Sequence, residues 1–137
     1  MEKPPLINCA AGLAMSGNDM QLYQRMLQTF HTIHGQDDAA LRRCIVEQDA
    51  AAAQAIAHSL KGIVALLGAG ALQPAAERVM RVCADDEQTD VEAWKPAVES
   101  LARELMPLLA ELEQLIKDHR GEANMNTANE YLTDSNF

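Results

Sequence analysis

His58, with Lys61 three residues on and Gly62 four residues on, is the grouping in this sequence best suited to chemistry. A neutral imidazole is a nucleophile near neutral pH, and on a helix the residues at i+3 and i+4 lie directly beside it. The Lys61 ammonium can balance an anion attached to the ring. A glycine inside a helix costs about 1 kcal/mol relative to alanine. At Gly62 that cost is offset by room for a bulky group on the ring and for an approaching surface. The three residues describe a site that carries a phosphoryl group on histidine.

The helix that must position them runs from Asp49, its N-cap, to Gly68. Counting ~100° per residue, Ala53, Ile56, Ala57, Leu60, Ile63, Val64 and Leu67 fall within roughly 60° of Leu60 and form the buried stripe. His58 lies about 160° from its centre and faces outward. Exposed helix faces normally carry long charged side chains, but around His58 stand Ala51, Ala55, Gly62, Ala65 and Ala69. This predicts a smooth docking face. Leu66, about 120° from the stripe centre, joins it as a half-exposed apolar residue.

The remaining elements read as helices that pack around this one. Asn8 caps a short helix over 7–16 that ends at Gly17. From Asn18 or Asp19, the set Tyr23, Met26, Leu27, Phe30 and Ile33 follows amphipathic spacing and fades at Gly35. A second stripe, Ala40, Leu41, Cys44 and Ile45, continues to about Gln48, either as a separate helix or beyond a bend. After Gly70 and Pro74 comes the stripe Leu72, Ala75, Ala76, Val79, Val82 and Cys83, and the run Asp85 to Gln88 reads as a loop. Thr89-Asp90-Val91-Glu92 has the pattern of a capping box. The last helix carries Trp94, Val98, Leu101, Leu105, Leu108, Leu112 and Leu115 at alternating spacings of four and three, the seam of a bundle. Pro96 and Pro107 predict kinks in it. The expectation is an all-α bundle over residues 1–120 and a polar, mobile tail over 121–137.

Bulk composition limits the rest. A chain of 137 residues fits one domain, and 48% apolar with only 4% aromatic residues points to a core of aliphatic helix formers. A net charge of −9 without a basic run excludes a nucleic-acid binder. No apolar stretch approaches the ~20 residues of a membrane span, and the opening Met1 to Pro5 lacks a secretory apolar region. The chain is therefore expected to be soluble and cytoplasmic, without direct membrane contact. Cys9, Cys44 and Cys83 are scattered and odd in number, which predicts buried free thiols. His31 and His34 sit at i, i+3, but no acidic or sulfur ligand completes a metal set, so no metal site is expected; His119 borders the tail. There is no Gly-rich nucleotide loop, which excludes autonomous kinase activity.

The sequence resembles the histidine-containing phosphotransfer (HPt) domains. The match lies in His58-Ser59-Leu60-Lys61-Gly62, then Gly68-Ala69 and Leu72, and upstream in Gly12-Leu13, Gly17-Asn18-Asp19, Leu22-Tyr23, Leu27 and Phe30, spanning roughly residues 7–117. It departs from the family at Ile63, Val64 and Leu66, and at Ala76-Glu77 where the family has Leu-Glu. The resemblance implies an antiparallel four-helix bundle with an additional short N-terminal helix. It implies phosphorylation of His58, stabilisation of the phosphate by Lys61, and access secured by Gly62. The partners would be response-regulator receiver domains, in some systems within a hybrid sensor kinase. The chain would need no cofactor of its own, with Mg2+ on the receiver, and would act as a monomer, either free or as the C-terminal part of a membrane-anchored kinase. The alternative is a non-phosphorylated helical adaptor that binds receiver or kinase domains. The dimerisation domain of a sensor kinase is a poorer match, because an acidic residue and soon a proline usually follow its histidine.

Overall fold

A computed structural model describes residues 5–84 and 90–134, with side-chain placement as far as Asp118. Among the described residues the elements are α1 (Cys9–Met15), α2 (Met20–His34), α3 (Asp37–Glu47), α4 (Ala50–Leu67), a 3-10 turn (Gly70–Leu72), α5 (Gln73–Cys83) and α6 (Val91–Asp134), with no strand. The starts follow from their caps. Asn8 accepts the N–H of Ala11 at 3.0 Å, Asp19 that of Leu22 at 3.1 Å, and Asp49 that of Ala52 at 3.0 Å. At α6 the Asp90 carboxylate accepts the N–H of Glu92 at 3.0 Å. The expected loop at 85–88 and the Thr89 half of the capping box lie outside the described residues.

The chain breaks at Gly35 into α2 and α3, which both pack against α4 and α6 and so form one arm of a four-helix bundle with α4, α5 and α6. Their inward faces make one core. Tyr23, Leu27, Phe30, Leu41, Leu60, Val64, Leu67, Val79, Trp94, Leu101, Leu105 and Leu112 are all buried. At the helix ends α1 lies across α4, where Tyr23 donates its hydroxyl to the Leu67 carbonyl at 2.8 Å and Gly68 O accepts the N–H of Asn8 at 2.8 Å. Burial first, and the Cys9 thiol second, push the Tyr23 hydroxyl well above its ordinary range, so it remains a donor. The Glu111 carboxylate accepts the N–H groups of Leu6 and Ile7, both at 2.9 Å, and ties the amino-terminal segment to α6.

Three features bear on these expectations. The rod does not end near residue 120: α6 continues to Asp134, since extending a formed helix costs only each residue's propensity and no proline follows Pro107. The helix also passes unbroken through Pro96 and Pro107. Both prolines are exposed, as are Glu92 and Arg103, whose carbonyls lose a helical partner, so water can satisfy them. Finally, α4 is 18 residues long with mean hydropathy 1.4, enough by length and composition alone for a membrane span. Its apolar character has two sources, a core stripe on one face and alanines on the other.

The cysteines are free, with Cys44 and Cys83 buried. Burial, reinforced by Cys44, pushes the Cys83 thiol up to about 11 from 9.0, and burial also raises Cys44. The unfolded chain releases these protons near 9 while the fold resists, so this contribution to stability is complete below that pH and is lost as pH climbs towards 11. Thermal melts should show the midpoint falling between pH 9 and 11, and Cys83→Ala should make that fall shallower.

Candidate functional site

His58 stands in the middle of α4 and is exposed, with Leu60 fully buried on the opposite face. Ala51 and Ala55 before it and Gly62 after it are exposed, while Ala65 and Leu66 are half-buried. These residues form the expected smooth face. Ala69 does not belong to it, being only 2% exposed. The helix ends at Leu67, and Gly68 turns the chain at φ +87°, so the angular count no longer applies one residue later. There the Ala69 N–H bonds the Val64 carbonyl at 2.8 Å, and its side chain turns into the core beside Leu72 and Leu108.

A Cβ placed on Gly62 would meet nothing within 4 Å, so the open space beside His58 is real and is not required by packing. Gly62→Ala should therefore raise stability by about 0.5–1 kcal/mol through helix propensity. Gly62→Gln should keep the fold but cut productive encounters with a partner at least about tenfold, equivalent to 1.4 kcal/mol. Thermal melts and phosphotransfer rates on the same samples check the two directions.

Lys61, at 41% side-chain exposure, reaches across to α5, where its ammonium lies 3.5 Å from the Glu77 carboxylate. Its carbonyl accepts the Gln73 side-chain amide at 3.3 Å. The sequence reading placed Lys61 beside the ring but did not anticipate this carboxylate. Periodicity along one helix carries no information about which turn of the next helix faces it.

On the other flank, Ser59 meets α2. The Ser59 hydroxyl lies 3.4 Å from Nε2 of His34, whose Nδ1 is 2.6 Å from Asp37 Oδ2. His34 is 7% exposed and stacks at 4.9 Å on Phe30. Burial raises Asp37 above the ordinary carboxylate value, opposed by the hydrogen bond from His34. His31 instead bonds Glu113 on α6 at 3.2 Å. The two histidines thus serve different partners, and among the described residues no group of three or more metal-binding side chains occurs.

Between α2 and α4 runs an open groove of about 400 Å³ lined by Leu22, Arg25, Met26, Phe30, Ile33 and Ser59, among others. Leu22 and Ile33 are 43% and 63% exposed, so the apolar face around His58 extends onto α2. Ile63, expected within the buried stripe, is half-exposed and lines this groove. The arrangement can present a nucleophilic imidazole, one neighbouring ammonium and an uncluttered apolar surround to a folded partner. A family model described as Hpt domain matches residues 21–118. No curated protein and no solved structure matches the chain.

Proposed function

The chain belongs to the Hpt domain family, and on that premise we propose that His58 takes a phosphoryl group from the aspartyl phosphate of one receiver domain and passes it to the aspartate of another. Proteins of this family are phosphohistidine carriers of multistep two-component phosphorelays and work with receiver domains. The observation that carries the assignment to His58 is its exposure in mid-helix beside the empty space at Gly62. A ring nitrogen attacks phosphorus, the bond from phosphorus to the aspartate oxygen breaks, and the carboxylate leaves with that electron pair. Lys61 neutralises part of the charge that arrives. The next receiver reverses the step. Mg2+ and the groups that assist the transfer are supplied by the receiver, so this chain acts as a carrier without kinase activity of its own.

The face formed by Ala51, Ala55, Ala65 and Leu66, continued by Leu22 and Ile33, is the surface on which receivers dock. We place the protein in the cytoplasm as a monomer, free or as part of a membrane-anchored hybrid kinase. Incubation with phosphorylated receivers tests the reading. Acid-labile, base-stable phosphate should appear on His58, and the rates across a panel of receivers should identify its partners. Receivers that bind without labelling the protein would indicate an adaptor and overturn the carrier assignment.

A further inference from the structure

We propose that Glu77 is a positioning residue that competes with the phosphoryl group for Lys61 and thereby sets how long the phosphohistidine lasts; this rests on reading His58 as the phosphorylated residue. Lys61 is the single Lys, Arg, Asp or Glu within α4, so His58 has one fixed cation on its own helix. That cation is already engaged, 3.5 Å from the Glu77 carboxylate on α5, with both side chains about half exposed at 41% and 50%. The Gln73 amide on the Lys61 carbonyl, at 3.3 Å, holds α5 against α4 at the same level.

An exposed ion pair of this kind is weak, a bias of at most about fivefold. A phosphoryl group brings a charge of roughly −1.5 to −2, more than the single charge of a carboxylate. The ammonium therefore moves to the phosphoryl oxygens when His58 is loaded and returns to Glu77 when it is discharged. The exchange remains partial, because Glu77 stays within reach. In hydrolysis, water forms the new bond to phosphorus, the phosphorus–nitrogen bond breaks with its pair returning to the ring, and inorganic phosphate leaves. The transition state of such a step is loose and carries less charge on the peripheral oxygens than the ground state. A cation on those oxygens thus slows the loss. Glu77, by drawing Lys61 away, keeps the carried group reactive.

The test uses the full chain, loaded chemically with phosphoramidate so that no receiver is needed, with decay followed on the His58 peptide by mass spectrometry. Glu77→Gln should lengthen the phosphohistidine half-life about threefold, within the range of an exposed pair. Lys61→Ala should shorten it, and the double variant should decay like Lys61→Ala alone. A half-life that is unchanged or shorter in Glu77→Gln, or an equal lengthening with and without Lys61, would overturn the proposal. If these half-lives follow the expected order but no phosphorylated receiver labels His58, the relay reading fails and the competition for Lys61 stands.

Discussion

His58→Gln should lose all phosphoryl uptake from receivers, to background, while its thermal midpoint stays within a degree or two of the unaltered protein, the scale of a surface change of about 0.5 kcal/mol or less. On the proposed mechanism the loss is total, because the ring nitrogen is the atom that would bond phosphorus and an amide in its place is no nucleophile at neutral pH. Stability survives because the ring faces outward, and glutamine is at least as good a helix former as histidine. No other described histidine can substitute. His34 is buried against Asp37 and Ser59, and His31 is paired with Glu113 on α6. Labelling of the variant at the level of the unaltered protein, measured alongside circular dichroism melts, would remove His58 from the mechanism.

Gly68→Ala should have the largest effect on the fold, a loss of about 3 kcal/mol, or roughly 10 °C in the thermal midpoint. Gly68 closes α4 at φ +87°, a left-handed conformation that costs a residue with a Cβ about 1–2 kcal/mol. The added Cβ would also strike the Asn8 carbonyl and press on the backbone of α1, which cannot swing aside as a flexible side chain can. Relieving the clash means giving up the bond from the Asn8 N–H to Gly68 O. Because the effect has the opposite sign to that of Gly62→Ala, the same melting experiment separates a glycine that packing requires from one that it does not. A melt for Gly68→Ala equal to that of the unaltered protein would mean that α1 does not press on this turn.

What was legible before the structure is what a single helix determines by itself. Asn8 and Asp49 announce helix starts, and Asn18 or Asp19 a third, because a short side-chain acceptor must meet a free amide there; Asn8, Asp19 and Asp49 do so. His58 reads as exposed because Leu60, Val64 and Leu67 claim the opposite face. The features that escaped depend on how one element meets another. The Lys61–Glu77 pair depends on the rotation of α5 against α4, and the His34–Asp37–Ser59 contacts cross both the break at Gly35 and the gap between helices. Ala69 was misplaced because a helical angle was carried one step past a turn that reverses the backbone. The extent of α6 was underestimated because a polar segment with few apolar anchors reads as a mobile tail, although extending a formed helix costs only each residue's propensity.

The clasp at the amino terminus bears on where this unit can be cut or fused. Residues 21–118 carry the family signature, yet Ile7 and Gly12 are buried and the backbone of Leu6, Ile7 and Asn8 is bonded to Glu111 and Gly68. A fragment trimmed to the signature would leave the far end of the helix bearing His58 without its cover. Any partner domain joined upstream in a natural or engineered fusion must therefore attach ahead of Leu6, and the smallest autonomous relay cassette is longer than the motif that identifies it.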